Sequence, residues 1–154
     1  MKNYPAKHNS GFSTIEVLVA VLILAIGLLG VAAIQTTALK NNNSALQRSQ
    51  ATMLAYFMMD AMRANRSVAI IGSYDLAKTC VAPATGSLIT NDQNAWINAL
   101  KGDPSNGIYS LGNASTTCGE ISCAVNTCTV KVYWDDSRGM SGNSQQIVEI
   151  TSRL

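Results

Sequence analysis

Gly11-Phe12-Ser13-Thr14-Ile15-Glu16-Val17-Leu18 opens the stretch GFSTIEVLVAVLILAIGLLGVAAI, residues 11–34, and the reading of that stretch decides the fold. Residues 17–34 are 18 in a row without a charge. Residues 12–15 before them and 35–38 after them extend the same helix to the length a bilayer requires, about 20 predominantly apolar residues. One acid, Glu16, stands inside it. A carboxylate in lipid costs about 3 kcal/mol on insertion scales, so it calls for a partner or a function. Lys2, Lys7 and His8 precede the run and the first basic residue beyond it is Lys40, which puts residues 1–11 on the cytoplasmic side and the rest of the chain outside. Two plainer readings are a secretory signal peptide, cut after small residues such as those at 30–33, and a simple single-pass anchor. The helical pattern continues past residue 33 without a turn, and Glu16 has no place in a signal peptide.

The octapeptide 11–18, with a short basic leader before it and an unbroken apolar run after it, resembles the processing site of type IV prepilins and related pseudopilins. Glycine ends the leader, an aromatic residue follows, and glutamate is the fifth residue after the cut. The resemblance implies that a dedicated aspartyl prepilin peptidase cuts after Gly11 on the cytoplasmic face and that the new Phe12 amine is N-methylated. It further implies that Glu16 pairs with a Phe12 amine between subunits and sets axial register during assembly. The residue types suit those roles. Glycine offers a protease an extended backbone with little steric restriction. A cationic amine and a carboxylate attract strongly in a low-dielectric bundle.

The helical pattern outlasts the membrane segment. Residues 35–66 contain neither Pro nor Gly, and Leu39, Leu46, Met53, Phe57, Ala61, Ala64 and Val68 recur at spacings of three, four or seven. This predicts one helix from Phe12 to about Arg66, roughly 80 Å long, whose second half lays that stripe on its own head. Asn41, Asn42, Asn43 and Ser44 are the least helix-favouring interval and read equally as a hinge or as a solvated polar turn. The domain reading is a leader at 1–11, the long helix at 12–67 with 12–38 transmembrane, and a globular head at 68–154. In the head, Asn91 or Asp92 caps a short helix that reaches Leu100 and is stopped by Lys101-Gly102. Residues 102–107 form a loop and Ile108-Tyr109 begins a brief strand. The clearest strand is 127–134, in which Cys128, Val130, Val132 and Trp134 alternate with Thr129, Lys131, Tyr133 and Asp135. Residues 147–151 are its antiparallel partner, and residues 121–125 add a third strand through an Asn126-Thr127 turn. The expected class is α+β: a pilin-like lollipop with a long N-terminal helix packed on a small antiparallel β-sheet head.

Residues 51–62, the Trp96 to Leu100 segment with the Gly/Pro loop after it, and residues 130–138 together resemble the minor pilins of the type IV pilus modification protein PilV family. That resemblance implies a role in initiating pilus assembly, with the prepilin peptidase, other minor pilins, the major pilin, the inner membrane and the assembly platform as partners. A minor pseudopilin of type II secretion shares the N-terminal logic, and a tip adhesin or DNA-uptake module is the alternative of a different class. The expected location is the inner membrane, single-pass with the head in the periplasm, and then the pilus tip.

The four cysteines, Cys80, Cys118, Cys123 and Cys128, all fall on the exterior side, where an even count reads as disulfides. Three pairings are open. The preferred one joins Cys80 to Cys118 across a long loop and leaves Cys123 and Cys128 to clip a local hairpin. No C-x-x-C pair marks a zinc site, the lone histidine lies in the leader, and Asp135-Asp136 has no companion His or Glu, so neither a metal, a cofactor nor catalysis is expected. Loss of Lys2 and Lys7 with the leader reduces the 11 basic residues to 9, equal to the 9 acidic ones. Arg48, Arg63 and Arg66 read as a solvated helix face, and direct contact with nucleic acid is not expected. Mass spectrometry of the mature chain should find its N-terminus at a methylated Phe12; an intact leader, or cleavage after Ala33, would refute the processing assignment.

Overall fold

The computed structural model describes residues 11–102, 111, 115–139 and 142–154. The expected strand start at Ile108-Tyr109 and most of the loop at 102–107 lie outside the described residues. Two compact units divide the chain, Met1–Ala38 and Leu39–Leu154. Helix α1 (Thr14–Ala64) crosses the division and is helical throughout the polar interval 41–44.

In the first unit every described residue except Thr37 is exposed, so the apolar run finds no cover within its own chain. Among the described residues α1 is the one helix long and apolar enough to cross a membrane.

The second unit is α+β. The C-terminal part of α1 is followed by a single helical turn, α2 (Arg66–Ala69), strand β1 (Leu76–Thr79), helix α3 (Leu88–Lys101) and strands β2 (Cys118–Ala124), β3 (Thr127–Trp134) and β4 (Gln146–Arg153). The four strands form one antiparallel sheet in the order β1-β2-β3-β4. One face of β3 supplies Cys128, Val130, Val132 and Trp134 to the core, as strict alternation dictates. Helix α3 adds Trp96, Ile97 and Leu100, and α1 adds Ala51, Ala55, Met58, Met59 and Met62.

That last set corrects the sequence reading. Of the stripe expected to lie on the head, Leu39, Leu46, Met53 and Phe57 are 52–69 % exposed and Ala64 is exposed too, while Ala61 packs against the core and Val68 is half-buried. The buried face is the other one, and its alanines and pliant methionines lie in the core with α3's Trp96, Ile97 and Leu100. Trp96 spans from α3 to α1 and donates its indole Nε1–H to the Leu54 carbonyl at 3.0 Å. Gly119 of β2 completes it, since a methyl there would stand 2.5 Å from the Trp96 ring and 2.8 Å from Ile97.

Three local boundaries also differ. Helix α3 starts earlier than Asn91, because Ser87 and Thr90 form a capping box in which the Thr90 N–H donates to Ser87 Oγ at 3.2 Å and the Ser87 N–H to Thr90 Oγ1 at 2.9 Å. Strand β1 was not anticipated. The β2–β3 turn is Val125-Asn126, not Asn126-Thr127, with φ of +44° and +65°. Two positive φ values are what a two-residue hairpin of the right twist demands, but a β-branched residue adopts them at a cost.

Gly119→Ala should lower stability by about 1–3 kcal/mol through overpacking against Trp96. Val125 is 91 % exposed and gives up no packing, so Val125→Gly should raise stability by about 1 kcal/mol. Denaturant unfolding of the detergent-solubilised chain, followed through Trp96 and Trp134 fluorescence, checks both signs.

Candidate functional site

Gly11, Phe12 and Ser13 precede the first helical residue, so the Gly11–Phe12 peptide lies in non-helical, exposed backbone with nothing within 4 Å of a Cβ built on Gly11. Phe12 is 84 % exposed. The helix begins where the amides of Glu16 and Val17 donate to the Ser13 carbonyl at 3.0 and 3.3 Å. Glu16 therefore sits in the first turn, where the unpaired amides of a helix N-terminus favour a carboxylate. Phe12 and Glu16 border one shallow apolar recess with Val17, Ala20 and Val21. The Gly11–Phe12 peptide and the lone acid of the apolar segment thus share one end of α1. Residues 1–10 lie outside the described residues.

The head holds two disulfides, Cys80–Cys118 and Cys123–Cys128, and no free cysteine. This is the pairing preferred from the sequence. Cys123 and Cys128 face each other in the β2–β3 register, so their bridge locks the hairpin, and Cys123 Sγ lies 3.9 Å from Met62 Sδ on the core side. Cys80–Cys118 spans 38 residues and fastens the segment after β1 to the start of β2. Closing a loop of that size stabilises by about 2–4 kcal/mol in the chain-entropy account.

A polar network on the outer face of the sheet escaped the sequence reading. Tyr133 Oη donates to Glu120 Oε2 at 2.6 Å, Lys131 Nζ donates to Glu120 Oε1 at 3.4 Å, and Lys78 Nζ stands 4.1 Å over the Tyr133 ring. The Tyr133 hydrogen bond, helped by Lys131, holds the Glu120 carboxyl below the usual carboxylate range. Burial, with the Glu120 bond second, pushes the Tyr133 phenol up to about 12. The signal that would have found Glu120 is the hairpin register, because a turn at Val125-Asn126 sets residue 120 opposite 131. Among the described residues no group of three or more His, Cys, Asp or Glu side chains could hold a metal ion.

Residues 6–32 match the family model described as the prokaryotic N-terminal methylation motif, a motif typical of type IV pilin-like proteins. Neither a curated protein nor a solved structure matches the chain. The motif, one apolar helix of membrane-spanning length and two disulfides in the head together give the chain its pilin-like character.

Because the folded Tyr133 phenol ionises near 12 and an unfolded one near 10, its contribution to stability is complete below about pH 10 and disappears as pH rises to about 12. The thermal midpoint should fall across that window, and Tyr133→Phe should blunt the fall; an unchanged profile would refute the role of the Tyr133–Glu120 bond.

Proposed function

We propose that this chain is a minor pilin that takes part in initiating type IV pilus assembly, within a minor-pilin tip or priming complex. The observation that carries the reading is the methylation motif at 6–32, set on a helix whose apolar side chains from Ile15 to Ile34 are exposed. Such a surface is stable only in lipid or among other helices. The leader is residues 1–11, the helix 12–67 with its membrane part at 12–38, and the head 68–154. The prepilin peptidase cuts after Gly11, the Phe12 amine is methylated, and the head waits in the periplasm with the helix in the inner membrane. On the assembly platform the helix leaves lipid for a bundle of minor and major pilin helices. Glu16 then meets a neighbour's Phe12 amine, which removes the cost of a carboxylate among apolar side chains.

The exposed stripe Leu39, Leu46, Met53 and Phe57 supports the same reading. Its spacing of seven, seven and four lines one side of α1, away from the face that the head covers, and suits a helix lying alongside. A minor pseudopilin of type II secretion rests on the same motif, and a tip adhesin or DNA-uptake module would use the head directly.

Glu16→Ala should leave membrane insertion and leader removal intact, since loss of a carboxylate eases residence in lipid. Recovery of the variant with partner pilins should fall about tenfold or more, the factor that ~1.4 kcal/mol of lost pairing represents. Unchanged copurification would remove the pairing role. Deletion that lowers pilus number supports initiation, whereas normal pili with a secretion defect, or with lost adhesion alone, would favour the pseudopilin or the adhesin.

A further inference from the structure

Strand β4 is an edge of the sheet, and its register fixes which of its backbone groups stand free. The Leu154 amide donates to the Asn126 carbonyl at 2.9 Å and continues the register in which Arg153 faces Thr127. Residues along an antiparallel strand turn their N–H and C=O alternately to either side. Gln146, Val148, Ile150 and Ser152 therefore turn toward β3, as Leu154 does, and Ile147, Glu149, Thr151 and Arg153 turn outward. Among the described residues the one bond that reaches those outward backbone groups comes from the strand itself, from Ser152 Oγ to the Arg153 carbonyl at 3.1 Å. The outward amides and the other outward carbonyls stand in a row with no protein partner.

Folded proteins blunt such an edge with a bulge, a proline, a lysine or a very short strand. The opposite edge of the sheet is blunted in this way, since β1 has 4 residues and a shift of register against β2. Strand β4 has 8 residues, pairs with β3 along its whole length without a shift, and contains neither Pro nor Lys. Val148 and Ile150 pack on the core yet are only half-buried, and Ile147 on the other face is 51 % exposed, so an added strand would gain apolar contact on both faces. The outer face also carries Glu149 and Arg153. Among the described residues the ion pairs are Arg63–Asp60 and Lys131–Glu120, so both of these charges are free to meet a partner.

The direction of β4 narrows the partner. Arg48 Nη2 donates to Gln146 Oε1 at 3.4 Å and Arg63 Nη2 to Ser152 Oγ at 2.9 Å. A helix rises ~22 Å from 48 to 63 and a strand ~20 Å from 146 to 152, so within the unit Leu39–Leu154 the helix and β4 run side by side in the same sense. A second copy offers two edges. Its β4 could set Glu149 opposite Arg153 twice over, but antiparallel pairing would turn its helix against the first, whereas chains inserted with their leaders on one side of a membrane carry their helices in one sense. Its β1 runs the right way but offers only 4 residues with a shifted register. We infer that β4 receives an edge strand from a different chain of the same pilin-like kind. That strand lies antiparallel to β4, hence opposite in sense to its own chain's helix, and sets a base opposite Glu149 and an acid opposite Arg153. The inference rests on the proposal that this chain is a minor pilin.

The full chain, tagged and purified in mild detergent from piliated cells with the pilins it carries, is compared by amide hydrogen exchange with the same chain purified from cells that make no other pilin. The amides of Ile147, Glu149, Thr151 and Arg153 should exchange at least about tenfold more slowly in the complex, while those of Val148, Ile150 and Ser152 are protected in both. Helix-to-helix contact cannot produce that alternation. Thr151→Pro removes an outward N–H without breaking a bond to β3, so the thermal midpoint should hold within a few degrees while recovery of the partner falls about tenfold. Thr151→Val should change neither, and Arg153→Glu should lower recovery about threefold. Exchange in the parent chain needs no variant and decides the question even where proline lowers the midpoint. Absence of the alternating protection, or full recovery with Thr151→Pro, would overturn the inference. Mass spectrometry of the partner should find an N-terminal methylation motif; a partner without one overturns the assignment to a pilin-like chain. Thr151→Cys that crosslinks to itself in intact membranes would make a second copy the occupant and overturn it too. A parent chain that carries no pilin removes the minor-pilin reading together with the inference, whereas a parent and a Thr151→Pro variant that carry pilins equally remove the edge alone.

Discussion

The indole of Trp96 is the pin on which the head depends. Its ring lies against Gly119, the one glycine in the described strands, while its N–H donates to the Leu54 carbonyl in the C-terminal part of α1. Three elements, α1, α3 and β2, meet at that side chain. Their meeting fixes which face of α1 is buried, the one that carries Ala51, Ala55, Met58, Met59 and Met62. Around this core Tyr74 and Gln93 pair polar groups across elements. Tyr74, fully buried, donates its hydroxyl to Asp92 at 2.7 Å and accepts from Asn65 at 3.2 Å, and Gln93 donates to the Tyr74 carbonyl at 3.0 Å. The end of α1 and the start of α3 are thereby held to one phenol.

Once that face is committed, the apolar residues on the opposite side of α1 have to stay outside. Leu39, Leu46, Met53 and Phe57 are left uncovered by the same packing choice that buries the alanines, and the first unit is uncovered along nearly its whole described length. A helix with two apolar faces and a head that satisfies only one of them carries a standing demand for a second apolar environment. The match to the methylation motif, residues 6–32, covers the start of that uncovered run.

Strand β3 was legible to the residue, from Thr127 to Trp134, because it is half-buried and alternates without a fault. The helical span of α1 was legible within two residues at each end, from the absence of Gly and Pro after residue 30 and the long apolar run before it. Its buried face was not. Heptad spacing ranks large side chains above small ones, whereas the face the core covers holds two alanines beside its three methionines. The hairpin turn was misplaced by one residue because Val125 reads as strand on propensity, yet tertiary pairing and the Cys123–Cys128 bridge hold it at positive φ. Had the two cysteines been set opposite each other first, the turn and the Glu120–Lys131 pair would have followed from the register. Strand β1 carries only four residues on a sheet edge, too few for a period-2 signal to rise above its surroundings.

Strand β2 is covalently fastened at both ends, by Cys118 to Cys80 and by Cys123 to Cys128. Its consequence is mechanical. Were the chain pulled along its length, the 38-residue interval between Cys80 and Cys118 would bear no load and pay out no slack, because the force would pass through the sulfurs. At about 3.4 Å per residue, some ~130 Å of contour is withheld from extension. Stretching of this head is then confined to the short segments outside the two covalent loops, and a tug that frays the sheet meets a hard stop long before the polypeptide is drawn out.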